Sequence, residues 1–123
     1  GPGGLGGAAM SRLVQLPPAG VAEWSPIAPE KVISGEPVAR TIVLYENPAR
    51  GLAAGEWEAS PGKWRIAYTE WEYMEIISGA CVVEGDDGRR IEAGPGDKFV
   101  IEPGFTGTWE VLSALRKSWV IQE

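Results

Sequence analysis

GKWRIAYTEWEYMEIISG (62–79) and GPGDKFVIEPGFTGTW (94–109) decide the architecture of this chain. Both read as strand material cut by turns. In 63–71 and again in 72–79, apolar or aromatic residues alternate with polar ones, as in a half-buried β-strand. The alternation fixes faces, because successive side chains on a strand point to opposite sides. One face carries Trp64, Ile66, Tyr68, Glu70, Glu72, Met74 and Ile76. The other carries Arg65, Ala67, Thr69, Trp71, Tyr73, Glu75 and Ile77. Aromatics on both faces suit a barrel strand with one side inside and the other against a second layer or a partner subunit.

The same pattern extends in both directions. RTIVLYE (40–46) and GEWEA (55–59) precede it. ACVVEG (80–85) runs into Asp86-Asp87-Gly88, a hairpin turn of the Asp-Gly kind, and RRIEAG (89–94) returns. DKFVIEP (97–103), GTWEVL (107–112) and RKSWVIQE (116–123) complete the series. The 17 Gly and 10 Pro are spread as punctuation between these runs. No segment holds a helical apolar period over a dozen residues. Eight or so short strands joined by turns predict an all-β sandwich or barrel. Residues 1–10 read as a flexible lead or tag remnant, 11–37 as an irregular arm with one helical turn in SPIAPEKVIS, and 38–123 as the barrel.

Composition bounds the function. The chain has 123 residues, enough for one domain with a core that needs no staples. Its formal charge is −6, without a Lys/Arg cluster, which argues against nucleic acid and anionic membrane as partners. No apolar run approaches the roughly 20 residues that span a bilayer, and no secretory leader is recognisable at the start. The single cysteine, Cys81, fits a reducing, cytoplasmic setting and reads as a buried inert thiol. With no histidine in the chain, Ser-His-Asp and Cys-His catalysis are excluded.

At this level of detail the chain resembles the cupins, the RmlC-like jelly-roll barrels. Gly96-Asp97, then FVI, then Pro103-Gly104 is similar to the second cupin motif. Glu72, seven positions before the turn glycine Gly79, matches the glutamate of the first. The wider run of Trp57, Gly62, Trp64, Glu70, Glu72, Gly79, Asp87-Gly88, Gly96-Asp97, Pro103-Gly104-Phe105, Gly107, Trp109-Glu110-Val111 and Arg116-Lys117 resembles the small single-domain cupins related to EutQ and to ureidoglycine aminohydrolase. The resemblance implies a cupin jelly roll over about residues 35–123. It also implies a metal held by histidines, and here the chain departs. The His-x-His places fall within Arg65 to Tyr68, and the histidine of the second motif falls on Gly107. Of four ligand positions only Glu72 is kept. Imidazole is the usual ligand for Fe, Zn, Ni or Cu, and a lone carboxylate holds at most a weakly bound hard cation. No metal and no other cofactor is therefore expected.

What remains is an aromatic pocket with acidic groups. Glu72, with Glu70 beside it on the same face, is the expected acid or base. Carboxylates inside a barrel must be paired or shifted in pKa, and such groups mark sites. The bland alternative is that Glu72 accepts hydrogen bonds that hold the barrel mouth. Trp64, Tyr68 and Trp109 are expected on the inner wall, where aromatics enclose small organic ligands or cations, or simply pack. The absence of a histidine side chain at Gly107 is expected to open room beside Trp109. Tyr45, Arg65 and Lys117 are expected ligand contacts at the barrel ends, and Arg40 is expected to pair with an acidic ligand or with Glu72, each against an ordinary solvated alternative. Trp57, Trp71 and Trp119 are expected in an outer layer or interface, and Asp97 in a turn. Three functional readings stay open. The first is a cupin that binds a small molecule in its barrel. The second is a metal-independent isomerase, lyase or hydrolase of a nitrogen- or carboxylate-bearing metabolite with Glu72 as acid/base. The third is a structural cupin with a filled barrel. The exposed edge of 40–46 and the N-terminal arm predict a homodimer.

Overall fold

The structure, a computed structural model, describes residues 12–123. The expected lead at 1–10 lies outside them. Nine strands form one curled antiparallel sheet: β1 (Ser25–Pro26), β2 (Val32–Ser34), β3 (Val38–Asn47), β4 (Leu52–Ala59), β5 (Gly62–Ala67), β6 (Trp71–Gly85), β7 (Arg90–Ala93), β8 (Lys98–Ile101) and β9 (Thr106–Gln122). Two single 3-10 turns, Pro29–Lys31 and Pro48–Arg50, are the helical pieces among the described residues. The first falls within the helical turn expected in the arm. The arm also contributes two short strands, β1 on β3 and β2 on β5.

The sheet is organised around β9. Its first half lies between β5 and the end of β6, with Trp109 opposite both Trp64 and Val83. Its second half lies between β4 and the start of β6, with Lys117 opposite both Trp57 and Ile76. The change of neighbour happens near Ser113, where the β6–β9 register shifts repeatedly between Ile76 and Cys81. Such irregularities bend a strand and sharpen the curl that closes a sheet. The sequence reading of 107–112 and 116–123 as separate strands is thus corrected: they are one strand, whose partners change at the break. Gly79 makes the bend possible on the β6 side. It has φ +86°, and any Cβ there would strike the Ala114 carbonyl on β9.

The long run at 63–79 is divided as well. β5 ends at Ala67 and β6 begins at Trp71, with Tyr68 to Glu70 between them. The alternation survives the break because Tyr68 stays hydrogen-bonded on both sides of its peptide. Its N–H donates to the Phe105 carbonyl at 2.9 Å, and its carbonyl accepts from the Gly104 N–H at 2.7 Å. This pins the connection against the Pro103-Gly104 turn and keeps Tyr68 in phase with Trp64 and Ile66.

The core is the concave side of the curl: Trp64, Met74, Ile76, Cys81, Val83, Ile101, Trp109, Val111, Leu115 and Trp119 are buried together. The turns carry the expected local chemistry. The Asp97 carboxylate accepts from the Gly94 N–H at 2.8 Å, and the Asp87 carboxylate from the Arg89 N–H at 2.9 Å. At the Asp86 turn, Arg65 forms a two-pronged ion pair at 2.9 Å on each arm and the Thr106 hydroxyl adds a hydrogen bond at 2.7 Å. These donors hold the Asp86 carboxyl low, at about 2. Arg65 is therefore engaged on the outer surface, clamping the β6–β7 turn to β5 and β9. Its expected role as a ligand contact is replaced by this structural one.

Candidate functional site

Burial on β9 alternates strictly through its second half. Leu115, Lys117 and Trp119 are buried, while Arg116, Ser118 and Val120 between them face outward. Lys117 therefore points into the barrel, and its expected place at a solvated barrel end is corrected. The residue is 5 % exposed. Its Nζ donates to Glu72 Oε2 at 2.7 Å and lies 3.6 Å from Met74 Sδ. The ammonium is also held between two indoles, 4.9 Å from the ring centre of Trp57 and 4.6 Å from that of Trp109. Strand register produces this cage. Trp57 is directly across from Lys117 on β4, while Glu72 and Met74 project from the inward face of β6.

Burial pulls the Lys117 pKa below its ordinary value, and the Glu72 carboxylate opposes that shift without cancelling it. Tyr68 is a close neighbour of Glu72. Its phenol is raised far above its usual range, first by burial and then by the Glu72 charge, so it stays protonated. Cys81, deeper in the core, is pushed up to about 11, again by burial first, and is inert at neutral pH.

These groups surround a cavity of about 280 Å³ lined by Trp57, Trp64, Tyr68, Glu72, Trp109 and Lys117, with Thr41, Ile66, Glu70, Trp119 and Ile121 completing the wall. The structure thus brings together Trp64, Tyr68, Glu70, Glu72 and Trp109. Lys117, expected as a ligand contact at a barrel end, joins them from the barrel interior, and Trp57 and Trp119, expected in an outer layer or interface, line the cavity too. The indoles of Trp57 and Trp109 meet edge to face at 5.9 Å, and Trp57 and Trp64 are 6.2 Å apart. The indole N–H groups of Trp109 and Trp119 are buried without a hydrogen-bond partner.

Three expectations fall differently. Arg40 points away from the cavity, where it pairs with Glu58 at 3.0 Å and stacks on Trp24 at 4.5 Å. The Tyr45 hydroxyl accepts from Asn47 Nδ2 at 3.3 Å near the end of β3, and Tyr45 is not among the lining residues. Gly107 opens no room beside Trp109, because a Cβ there would run into the Glu84 carbonyl and the Gly85 backbone. Its glycine serves the close approach of β9 to β6.

The sequence pattern of the EutQ-like cupin domain matches residues 46–119. The chain belongs to this family. Similar solved structures agree on the all-β cupin jelly roll. A protein of unknown function from Pseudomonas syringae pv. tomato shares 26 % identity and a TM-score of 0.73, over 91 % of this chain and 46 % of its own length. EutQ from Clostridium difficile has 22 % identity and a TM-score of 0.62, over 70 % of this chain and 63 % of its own. A EutQ homologue from Salmonella typhimurium, with 14 % identity and a TM-score of 0.61, matches 81 % of this chain and 94 % of its own length. The chain thus spans less than two thirds of the first two of these relatives. The search of curated proteins finds no match.

The family's fold implies a metal, and the donor set here does not fit one. The imidazole positions are empty of imidazole, and the retained carboxylate, Glu72, is hydrogen-bonded to an ammonium from the chain itself. Among the described residues no group of three or more His, Cys, Asp or Glu comes together to hold a metal ion.

A buried pair of this kind is tested by removing each half. Glu72→Leu leaves a buried ammonium and Lys117→Met a buried carboxylate. Each single change is expected to cost about 3–5 kcal/mol in urea unfolding. The double variant is expected to recover most of that loss, because an apolar replacement of a whole buried pair is close to neutral. Small, additive losses would mean that the two side chains are not coupled.

Proposed function

We propose that this cupin binds a small organic molecule inside its barrel, at the cavity walled by Trp57, Trp64, Tyr68, Trp109 and the Lys117–Glu72 pair. The observation that carries this reading is the cavity itself. Packed cores leave few voids larger than a water, and ligand sites are concave, mostly aromatic and apolar, with a few convergent polar groups. A barrel serving only as scaffold would be filled. A volume of about 280 Å³ supports a compact ligand. The charged pair gives the reading a second strand of support: burying it costs free energy that an apolar pair would not, and such groups concentrate at functional sites. Glu72 is the acid/base of this site if the bound molecule reacts.

The reading extends to assembly and setting. We infer that two copies pair as a homodimer. β1 covers β3 only at Val38 and Ala39, so the remaining edge of β3 is open, with Val43 half-exposed upon it. The lone buried thiol fits a cytoplasmic protein. Light scattering is expected to return about twice the 13.2 kDa chain mass. A monomer at micromolar concentration would remove the dimer.

Ligand binding is read most simply from the tryptophans. A panel of uncharged small aromatics, alcohols, amides and carbonyl compounds is expected to contain members that quench or shift the indole fluorescence. Those members should raise the melting temperature in proportion to ln(1 + [L]/Kd), about 2.7 kcal/mol at 100-fold excess over Kd. Trp109→Leu is expected to weaken the response. A flat response across the panel, in fluorescence and in melting, would contradict the reading and favour a structural barrel.

A further inference from the structure

The chemistry of the wall narrows the ligand further; this inference rests on the pocket reading above. Among the lining residues Lys117 is the one cation, and it is already matched by Glu72, with Glu70 as an additional carboxylate. The wall therefore offers an anionic ligand no unpaired positive charge. It offers a cationic ligand no aromatic box either, since the faces of Trp57 and Trp109 are occupied by the Lys117 ammonium. An uncharged ligand adds no charge to this wall, whereas a cation would have to sit against the Glu70 carboxylate and not in an aromatic box.

Lys117 completes the argument. Its nitrogen has one strong partner, Glu72 Oε2, and one weak one, the Met74 thioether. A primary amine withdrawn from water loses part of its preference for the charged form and becomes a nucleophile; the carboxylate at 2.7 Å favours the ammonium, and its part is to carry the proton between nitrogen and oxygen. We propose that the cavity takes an uncharged aldehyde or ketone and that Lys117 condenses with its carbonyl carbon to form an imine.

The step balances without an outside reagent. The Lys117 ammonium gives a proton to Glu72, and the freed nitrogen lone pair attacks the carbonyl carbon. As the C–N bond forms, the C=O π pair moves to oxygen, which takes up the proton that nitrogen loses, giving a carbinolamine. Glu72 then returns its proton to the hydroxyl. Water leaves as the nitrogen lone pair closes the C=N bond, and the protonated imine lies against the regenerated carboxylate. One carbonyl and one ammonium become one iminium and one water, with no change of oxidation state. Tyr68, kept protonated beside Glu72, is the group able to hydrogen-bond the oxygen before it departs.

Reductive trapping tests this on the wild-type protein. With benzaldehyde and sodium cyanoborohydride at neutral pH, peptide mapping is expected to find the benzyl group on Lys117 about tenfold above Lys31, Lys63 and Lys98. Lys117→Arg, which keeps the charge but cannot form the imine, is expected to lose that modification and leave the other three sites as they were. Benzyl alcohol, which can occupy the cavity without condensing, separates the two levels of the argument. If it perturbs the tryptophans while benzaldehyde leaves Lys117 unmodified, the imine is overturned and the pocket stands. If neither compound binds and Lys117 is not trapped, both fall. Equal modification of all four lysines would also overturn the imine, since exposed amines alone would give that result.

Discussion

A lysine ammonium cannot be taken out of water alone. The penalty is several kcal/mol even after relaxation, so Lys117 can lie inside the barrel only because β6 brings a carboxylate to within 2.7 Å of it. The rest of the site follows from that requirement. Trp57 and Trp109 present their faces to the charge and add attraction where water is excluded. Tyr68 lines the same cavity close to Glu72. The strand register that sets Trp57 across from Lys117 and Trp64 across from Trp109 then leaves a lined hollow instead of a filled core. A hydrophobic pair at 72 and 117 would satisfy the fold at less free-energy cost, and its absence points to a use for the charge.

The family relation gains meaning from the same pair. The chain keeps the turns and glycines that shape a cupin: the Gly79 bend, the Asp97 turn, the Pro103-Gly104 turn and the close approach at Gly107. It also keeps the glutamate of the first motif. In place of an external cation, that glutamate meets an ammonium from β9. The frame is conventional for the EutQ-like cupins, and the chemistry available inside it is that of an amine, a carboxylate and a phenol among tryptophans.

Much of the fold was legible in the sequence because two-residue alternation and turn residues act locally. The side-chain face drawn through Trp64, Ile66, Tyr68, Glu70 and Glu72 does line the cavity, although β5 and β6 are separated by a short connection. What local reasoning could not supply was partnership. Long basic side chains usually carry their charge to water, which makes the barrel interior an unexpected place for Lys117. Yet the series Leu115, Lys117, Trp119, Ile121 puts it in phase with three apolar residues, and that phase was the available signal. For Trp57 and Trp119 the sequence pattern alone does not say which strand face is inside. Only the β4–β9 register shows where they point. Gly107 was read as a lost side chain, whereas contact with the β6 backbone requires a glycine there.

The state of Lys117 is therefore the quantity on which the account turns. Carbon-13 labelling of the lysine ε positions gives four signals, from Lys31, Lys63, Lys98 and Lys117, and each can be followed through an alkaline titration. One signal is expected to stand apart, moved upfield by the ring currents of Trp57 and Trp109 and titrating below the other three, and to vanish in Lys117→Arg. Four signals that titrate together near the ordinary lysine value of about 10.4, none shifted by an aromatic ring, would show that Lys117 lies in water and that the site is not built as described.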